Sequence, residues 1–247
     1  MARKQQQKVP ALNRNRRQQV QAENDPRFRQ DEPRPIHPKR NTAPLIAQTA
    51  KQKQYIAAIQ NFDVTFGLGP AGTGKSYVAT MIAADMLDRG EVDRIIITRP
   101  AVESQEEFGF LPGELADKYE PYLAPIKEIL YERLGKGATD YFVKSGRIEA
   151  IPLAFMRGRT FRDAFVIFDE AQNATPGQMK LFLTRIGDNC KVVIDGDAAQ
   201  SDIPNSGLVD AANRVSHIPC VRVITFDRSD VVRSGFVSEV LAAYASD

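Results

Sequence analysis

Gly69-Pro70-Ala71-Gly72-Thr73-Gly74-Lys75-Ser76 is the stretch that decides the fold. It fits the spacing G-x-x-x-x-G-K-[ST], in which a glycine-rich turn lets backbone N–H groups point inward and surround a phosphate. Lys75 supplies a point charge for the β- and γ-phosphates of a nucleotide. Ser76 offers a hydroxyl to Mg²⁺. The flanks agree with this reading. Val64 to Leu68 is a short apolar run that predicts a buried strand entering the loop, and Tyr77 to Leu87 predicts the helix leaving it. The phosphates would then sit at a helix N-terminus, where the free N–H groups favour an anion. Gly69, Pro70, Ala71, Gly72, Thr73, Gly74, Lys75, Ser76 and Tyr77 are therefore the first candidate nucleotide contacts.

Working outward, the strand pattern repeats with helical stretches between. Residues 94–98, 164–168, 191–194 and 221–225 are continuous apolar runs, as expected of strands buried on both faces. Helices are expected over 45–60, 75–89, 114–134, 176–186, 206–215 and 231–244, with a short extra strand near Arg147-Ile148-Glu149. This alternation predicts an α/β fold with a doubly wound parallel sheet. Residues 100–140 form a proline-containing insertion, and Arg157-Gly158-Arg159-Thr160-Phe161-Arg162 is a basic run that the alternation leaves unexplained.

The ends of these strands carry the chemistry, because ligands of open parallel sheets lie at the carboxyl edge. The third run, 164–168, is followed by Asp169-Glu170. An acid directly after an apolar strand suits Mg²⁺ binding beside Ser76. A second carboxylate, Glu170, suits polarisation of a water for in-line attack on the γ-phosphate. The fourth run leads into Asp195-Gly196-Asp197-Ala198-Ala199-Gln200. There Gln200 is a candidate for holding the water or sensing the γ-phosphate, and Asp197 for ordering the turn. Arg99, after the second run, is a candidate phosphate contact, for either the nucleotide or a polynucleotide. Arg233 is a candidate for neutralising transition-state charge, from its own subunit or a neighbour.

Composition sets outer limits. The chain has 247 residues, 43% of them hydrophobic, which is enough for a sizeable core. No apolar run reaches the roughly 18 residues of a transmembrane helix, and no secretory leader is evident. No membrane partner is expected, and the expected location is the cytoplasm. Cys190 and Cys220 lie far apart without metal-like spacing, and His37 and His217 are single. The net charge of +2 hides an asymmetry: residues 1–40 carry +7 and the remainder −5. Residues 1–42, rich in Gln, Arg, Asn and Pro, are expected to be a disordered basic arm able to meet nucleic-acid phosphates. Residues 43–247 are expected to be the folded domain.

Assembled, these residues resemble the PhoH family of predicted ATPases. The matching pieces include Phe66 to Lys75, Ile97-Thr98-Arg99-Pro100-Ala101-Val102, Gly109-Phe110-Leu111-Pro112-Gly113, Ala154 to Thr160, Asp169-Glu170-Ala171-Gln172-Asn173, Met179 to Arg185, and Asp230-Val231-Val232-Arg233. The resemblance covers about residues 45–245. It implies a RecA-like P-loop NTPase domain similar to the nucleotide-binding half of superfamily 1 helicases, using ATP and Mg²⁺. By the same resemblance, Gln52 falls where the adenine-reading glutamine lies, with Tyr55 as a stacking ring, and Gln172 belongs to the Asp-Glu-x-x-Gln element. Bacterial members are linked to phosphate starvation and RNA metabolism. Short versions occur in phages, which would place such a protein in the host cytoplasm. Asp195 departs from the Thr or Asn usual there.

The expected activity is ATP hydrolysis coupled to RNA or single-stranded DNA, as a helicase or translocase. With one such domain per chain, a homo-oligomeric ring, expected to be a hexamer, would complete each site. The alternative is a nucleotide-dependent assembly switch or nucleic-acid-binding protein without motor activity. A small-molecule phosphotransferase is disfavoured by Glu170 beside Asp169.

Overall fold

The sheet is built on the strand that precedes the glycine-rich loop. In the computed structural model, which describes residues 40–100 and 115–232 with side chains from 123 onward in the second stretch, helix α1 (Ala50–Asn61) leads into β1 (Val64–Leu68). The loop then opens α2 (Lys75–Asp88), which is followed by β2 (Arg94–Thr98). Next come α3 (Leu115–Leu134), α4 (Lys136–Lys144) and β3 (Ile148–Ala150). A 3₁₀ turn over Leu153–Met156 precedes β4 (Ala164–Phe168). The order ends with α5 (Pro176–Leu183), β5 (Cys190–Gly196), α6 (Leu208–Val215) and β6 (Val221–Thr225).

All pairings are parallel, in the order β3-β2-β4-β5-β1-β6. The α/β expectation therefore holds, and the short strand expected near 147–149 is β3. Each strand buries alternate residues on opposite faces. Ile95, Ile97, Phe165, Ile167 and Val193 join the core beneath α1–α4. Phe66, Ile96, Val166, Phe168 and Ile194 join the core beneath α5 and α6. That two-sided burial is why the strands read as continuous apolar runs.

Helix α2 is the central helix. Val78, Ala79, Met81, Ile82, Ala83, Ala84 and Leu87 are all buried, so it is apolar almost all round rather than amphipathic. α5 is short but well begun. Thr175 caps it by accepting from the Gln178 N–H, and the Gln178 side chain returns to the Thr175 N–H, with Pro176 at the first helical position.

Two expectations need adjustment. Helix α1 begins at Ala50 rather than near 45, because Thr49 supplies the capping oxygen to the Gln52 N–H at 3.1 Å. The basic arm was expected to run to residue 42, yet Asn41 already donates its N–H to Glu132 O at 2.6 Å, and Arg133 Nη1 donates to the Asn41 carbonyl at 2.8 Å. The rest of the arm and the expected helix over 231–244 beyond Val232 lie outside the described residues. No helix among the described residues is long and apolar enough to cross a membrane.

Candidate nucleotide-binding site

The sheet order puts β5 between β4 and β1. The ends of those three strands and the loop after β1 therefore enclose one cavity, of about 270 Å³, at the carboxyl edge. Its lining includes Ala71, Gly72, Gly74, Lys75, Ser76 and Tyr77 from the loop and α2. Asp169 and Glu170 enter from β4, and Asp195, Gly196, Asp197 and Gln200 from β5. Residues separated by more than a hundred positions in the chain thus converge.

In the loop, Gly69, Gly72 and Gly74 take positive φ of 135°, 83° and 79°, a conformation that side chains resist. Lys75 Nζ donates to Gly69 O at 2.7 Å and Pro70 O at 2.8 Å, so its ammonium lies at the loop's centre. Burial lowers the Lys75 pKa from its ordinary value, against the pull of the surrounding carboxylates Asp195, Asp197, Asp169 and Glu170. Thr73 Oγ1 donates to Pro70 O at 3.0 Å and tightens the turn.

Ser76 Oγ donates to Asp169 Oδ1 at 2.8 Å. Arg99, expected to meet a phosphate, instead places its guanidinium on Asp169 Oδ2, with Nε at 3.0 Å. The physical reason is register: Thr98 and Phe168 are paired at the ends of β2 and β4, so Arg99 and the buried Asp169 emerge side by side. Ser76 and Asp169 are hard oxygen donors of the kind Mg²⁺ takes when phosphates supply the remaining ligands. Among the described residues there is no group of three or more His, Cys, Asp or Glu placed to hold a metal without such help.

Glu170 stands in the left-handed region, at φ 53°. For a glutamate this conformation is strained, and strain of this sort collects at functional positions. Gln172 Nε2 donates to Glu170 Oε2 at 2.6 Å, while Gln172 Oε1 accepts from the Asp197 N–H at 3.1 Å. One buried amide therefore ties the end of β4 to the end of β5. Asp197 orders its turn by accepting from the Ala199 N–H at 3.0 Å, and Gln200 N–H returns to Asp197 O at 3.0 Å.

The two residues expected to recognise adenine are placed differently from that expectation. Tyr55 is fully buried, so it offers no open face to a base. Its hydroxyl donates to Asp195 Oδ1, and its ring meets Phe226 edge-on at 5.4 Å. Gln52 is also buried. Its Nε2 donates to Thr73 O at 3.0 Å and its Oε1 accepts from the Gln48 N–H at 2.7 Å, so it braces the loop from below. Tyr77 is the aromatic on the cavity wall, 37% exposed, with its hydroxyl donating to Glu132 Oε1 at 3.0 Å. That contact joins α2 to α3 across 55 positions and has no signature in the sequence.

The Tyr55–Asp195 pair is another feature that sequence reasoning missed. It exists because residue 67 is glycine. Gly67 and Asp195 are register partners on β1 and β5, and a Cβ at 67 would lie 2.4 Å from Asp195 Oδ1. Burial pushes the Asp195 carboxyl up to about 7; the Tyr55 hydroxyl opposes that rise, while Asp169 adds to it. Asp195 Oδ2 is buried without a hydrogen-bond partner in a side chain that lines the cavity. Arg233 lies outside the described residues; its neighbour Val232 donates its N–H to Gly72 O of the loop at 2.9 Å.

The family profile described as "PhoH-like protein" matches residues 44–245. The chain belongs to the PhoH family. It is 48% identical over 203 residues to the PhoH-like protein of Bacillus subtilis, covering 81% of this chain and 64% of that relative. Against Protein PhoH of Escherichia coli K12 it is 43% identical over 211 residues, covering 83% of this chain and 60% of that relative. The PhoH-like protein of Synechocystis is 47% identical over 201 residues, covering 80% and 61%. This PhoH-family chain therefore spans about three fifths of the length of the curated relatives it matches. Both the loop and the acidic strand end lie inside the matched region.

Proposed function

We infer that this chain hydrolyses ATP with Mg²⁺ and couples that turnover to a single-stranded nucleic acid. One observation carries the reading: Lys75, the Ser76–Asp169 pair and the Glu170–Gln172–Asp197 bridge all reach one cavity at the mouth of a phosphate loop. The loop N–H groups and Lys75 hold the phosphates, and Tyr77 rather than Tyr55 offers a face to the base. Ser76 and Asp169 would hold the metal, which when bound would neutralise charge on the phosphate oxygens. Glu170 accepts the proton of the attacking water, and its strained backbone fixes where that carboxylate stands. Gln200, on the turn ordered by Asp197, lines the same cavity and would report the γ-phosphate. A carboxylate so placed favours water as the acceptor over a second metabolite.

Coupling to nucleic acid is supported by the basic arm, at +7 over residues 1–40. The N–H of Val232, the residue before Arg233, is held on Gly72 of the same chain's loop; the head-to-tail homo-oligomer is proposed from the sequence reading alone. The test is steady-state phosphate release from ATP and Mg²⁺, with and without a panel of RNA and DNA. Stimulation by single strands is expected. Turnover without stimulation by any polynucleotide would leave a nucleotide-dependent assembly switch. No turnover under any condition would overturn the enzyme reading.

A further inference from the structure

The basic run after β3 has no part in the nucleotide cavity, yet its presentation is specific. In the 3₁₀ turn Leu153–Met156, residues three apart lie on one side. Leu153 and Met156 are buried in the core, which turns Phe155 outward to 54% exposure. The backbone of this phenyl ring is held rigid by core packing on both sides while the ring stands in solvent. Immediately after it come Arg157, Gly158 and Arg159, all exposed. Gly158 has φ 77°, and a Cβ there would meet nothing within 4 Å, so the turn projects from the surface. Arg162 is exposed too, but it lies at the amino end of β4, where Asp163 O accepts from the Asp93 N–H, and so stands apart from the turn. Arg159 shares Glu149 with Arg94, at 3.7 and 3.9 Å, whereas Arg157 and Arg162 form no ion pair among the described residues.

An outward aromatic followed by the exposed guanidiniums of Arg157 and Arg159 on an open turn is suited to one kind of ligand. Bases of a single strand stack on an aromatic ring regardless of sequence, while arginines track the phosphates. A duplex keeps its bases stacked inside and has no free face to give. We propose that Phe155, with Arg157 and Arg159, is the docking surface for a single-stranded polynucleotide, a proposal that rests on the nucleic-acid reading above and says where the strand lies. The turn follows the carboxyl end of β3, the edge strand four positions from β1. At about 4.8 Å per strand it is roughly 20 Å along the sheet from the phosphate loop, on the same edge. The strand would thus pass beside the nucleotide cavity rather than over it. RNA and DNA share the phosphates and base faces used here, and the experiment separates them.

Fluorescence anisotropy of the full chain with a fluorescein-labelled single strand, as RNA and as DNA of one sequence, tests this over a salt series. Phe155→Ala should weaken binding roughly ten-fold or more, with an unchanged salt slope. Arg157→Ala with Arg159→Ala should lower the slope of log affinity against log salt by about 1.4, since each phosphate contact to a single strand contributes about 0.7. Phe155→Trp should retain affinity, and thermal melting of each variant checks folding. Wild-type affinity and slope in both alanine variants would overturn the proposal while leaving the nucleic-acid reading intact. A change in size by light scattering with unchanged affinity would also overturn it, by assigning the patch to a second copy. Failure of the wild-type chain itself to bind any strand would sink the reading beneath it.

Discussion

Glu170 and Lys75 have different parts in the proposed reaction, and each has its own expected failure. Lys75→Ala removes the charge at the loop's centre, so ATP turnover should fall roughly 100-fold or more, with nucleotide binding weakened in a titration of the same variant. Glu170→Gln keeps the size, the hydrogen bond with Gln172 and the backbone position, but removes the base. Binding of ATP should survive and single-turnover hydrolysis should stop; normal turnover would refute Glu170 as the base. Asp195 makes a different prediction. Its carboxyl titrates at about 7 in the fold, against about 3.9 in an unfolded chain. The fold therefore retains a proton that the unfolded chain releases, so stability should fall as pH rises from about 4 to about 7 and then level off. The largest loss is on the order of 4 kcal/mol. Asp195→Asn should remove this component, and urea unfolding of both chains at several pH values will show whether their difference grows across that window.

At the scale of elements, short helices depend on their ends. α5 has eight residues, yet it buries Met179 and Phe182, and Phe182 packs on Phe168 with ring centroids 4.6 Å apart. Thr175→Ala removes the cap and should cost about 1 kcal/mol, a melting shift of roughly 2–4 °C for a chain of this size. The joint between α2 and α3 has a functional counterpart. Glu132 Oε1 accepts from both Tyr77 and Asn41, at 3.0 Å each, so one carboxylate holds the cavity's aromatic wall and the start of the described chain. Tyr77→Ala should raise KM for ATP more than it lowers kcat, because a stacking face contributes to binding and not to the phosphoryl step. Glu132→Ala should shift KM the same way, less strongly.

Taken whole, the molecule gathers its candidate nucleotide contacts at one edge of the sheet, with Val232 pinned to Gly72 there. If a neighbouring copy completes the site, turnover per chain should rise with protein concentration. Light scattering in ATP and Mg²⁺ should return a multiple of the 27.5 kDa chain, and a monomer with full activity would exclude the ring.

The phosphate loop, the acidic strand end and the parallel sheet were readable from the chain because each is a local pattern. A loop that surrounds an anion needs glycines at fixed spacing, and a strand buried on both faces must be apolar throughout. Nothing local reports which side chains meet across strands and helices. Tyr55 is a stacking ring by resemblance until the β1–β5 register puts Gly67 opposite Asp195 and leaves room there for the tyrosine hydroxyl. Arg99 reads as a phosphate contact until the β2–β4 register lays it on Asp169. Phe155 is only part of the matching piece Ala154 to Thr160 until burial of Leu153 and Met156 turns it out. The chain's local pattern specified a loop with the glycine spacing that suits a phosphate. Only the tertiary structure decided which charges that loop faces, because those contacts join residues up to 140 positions apart.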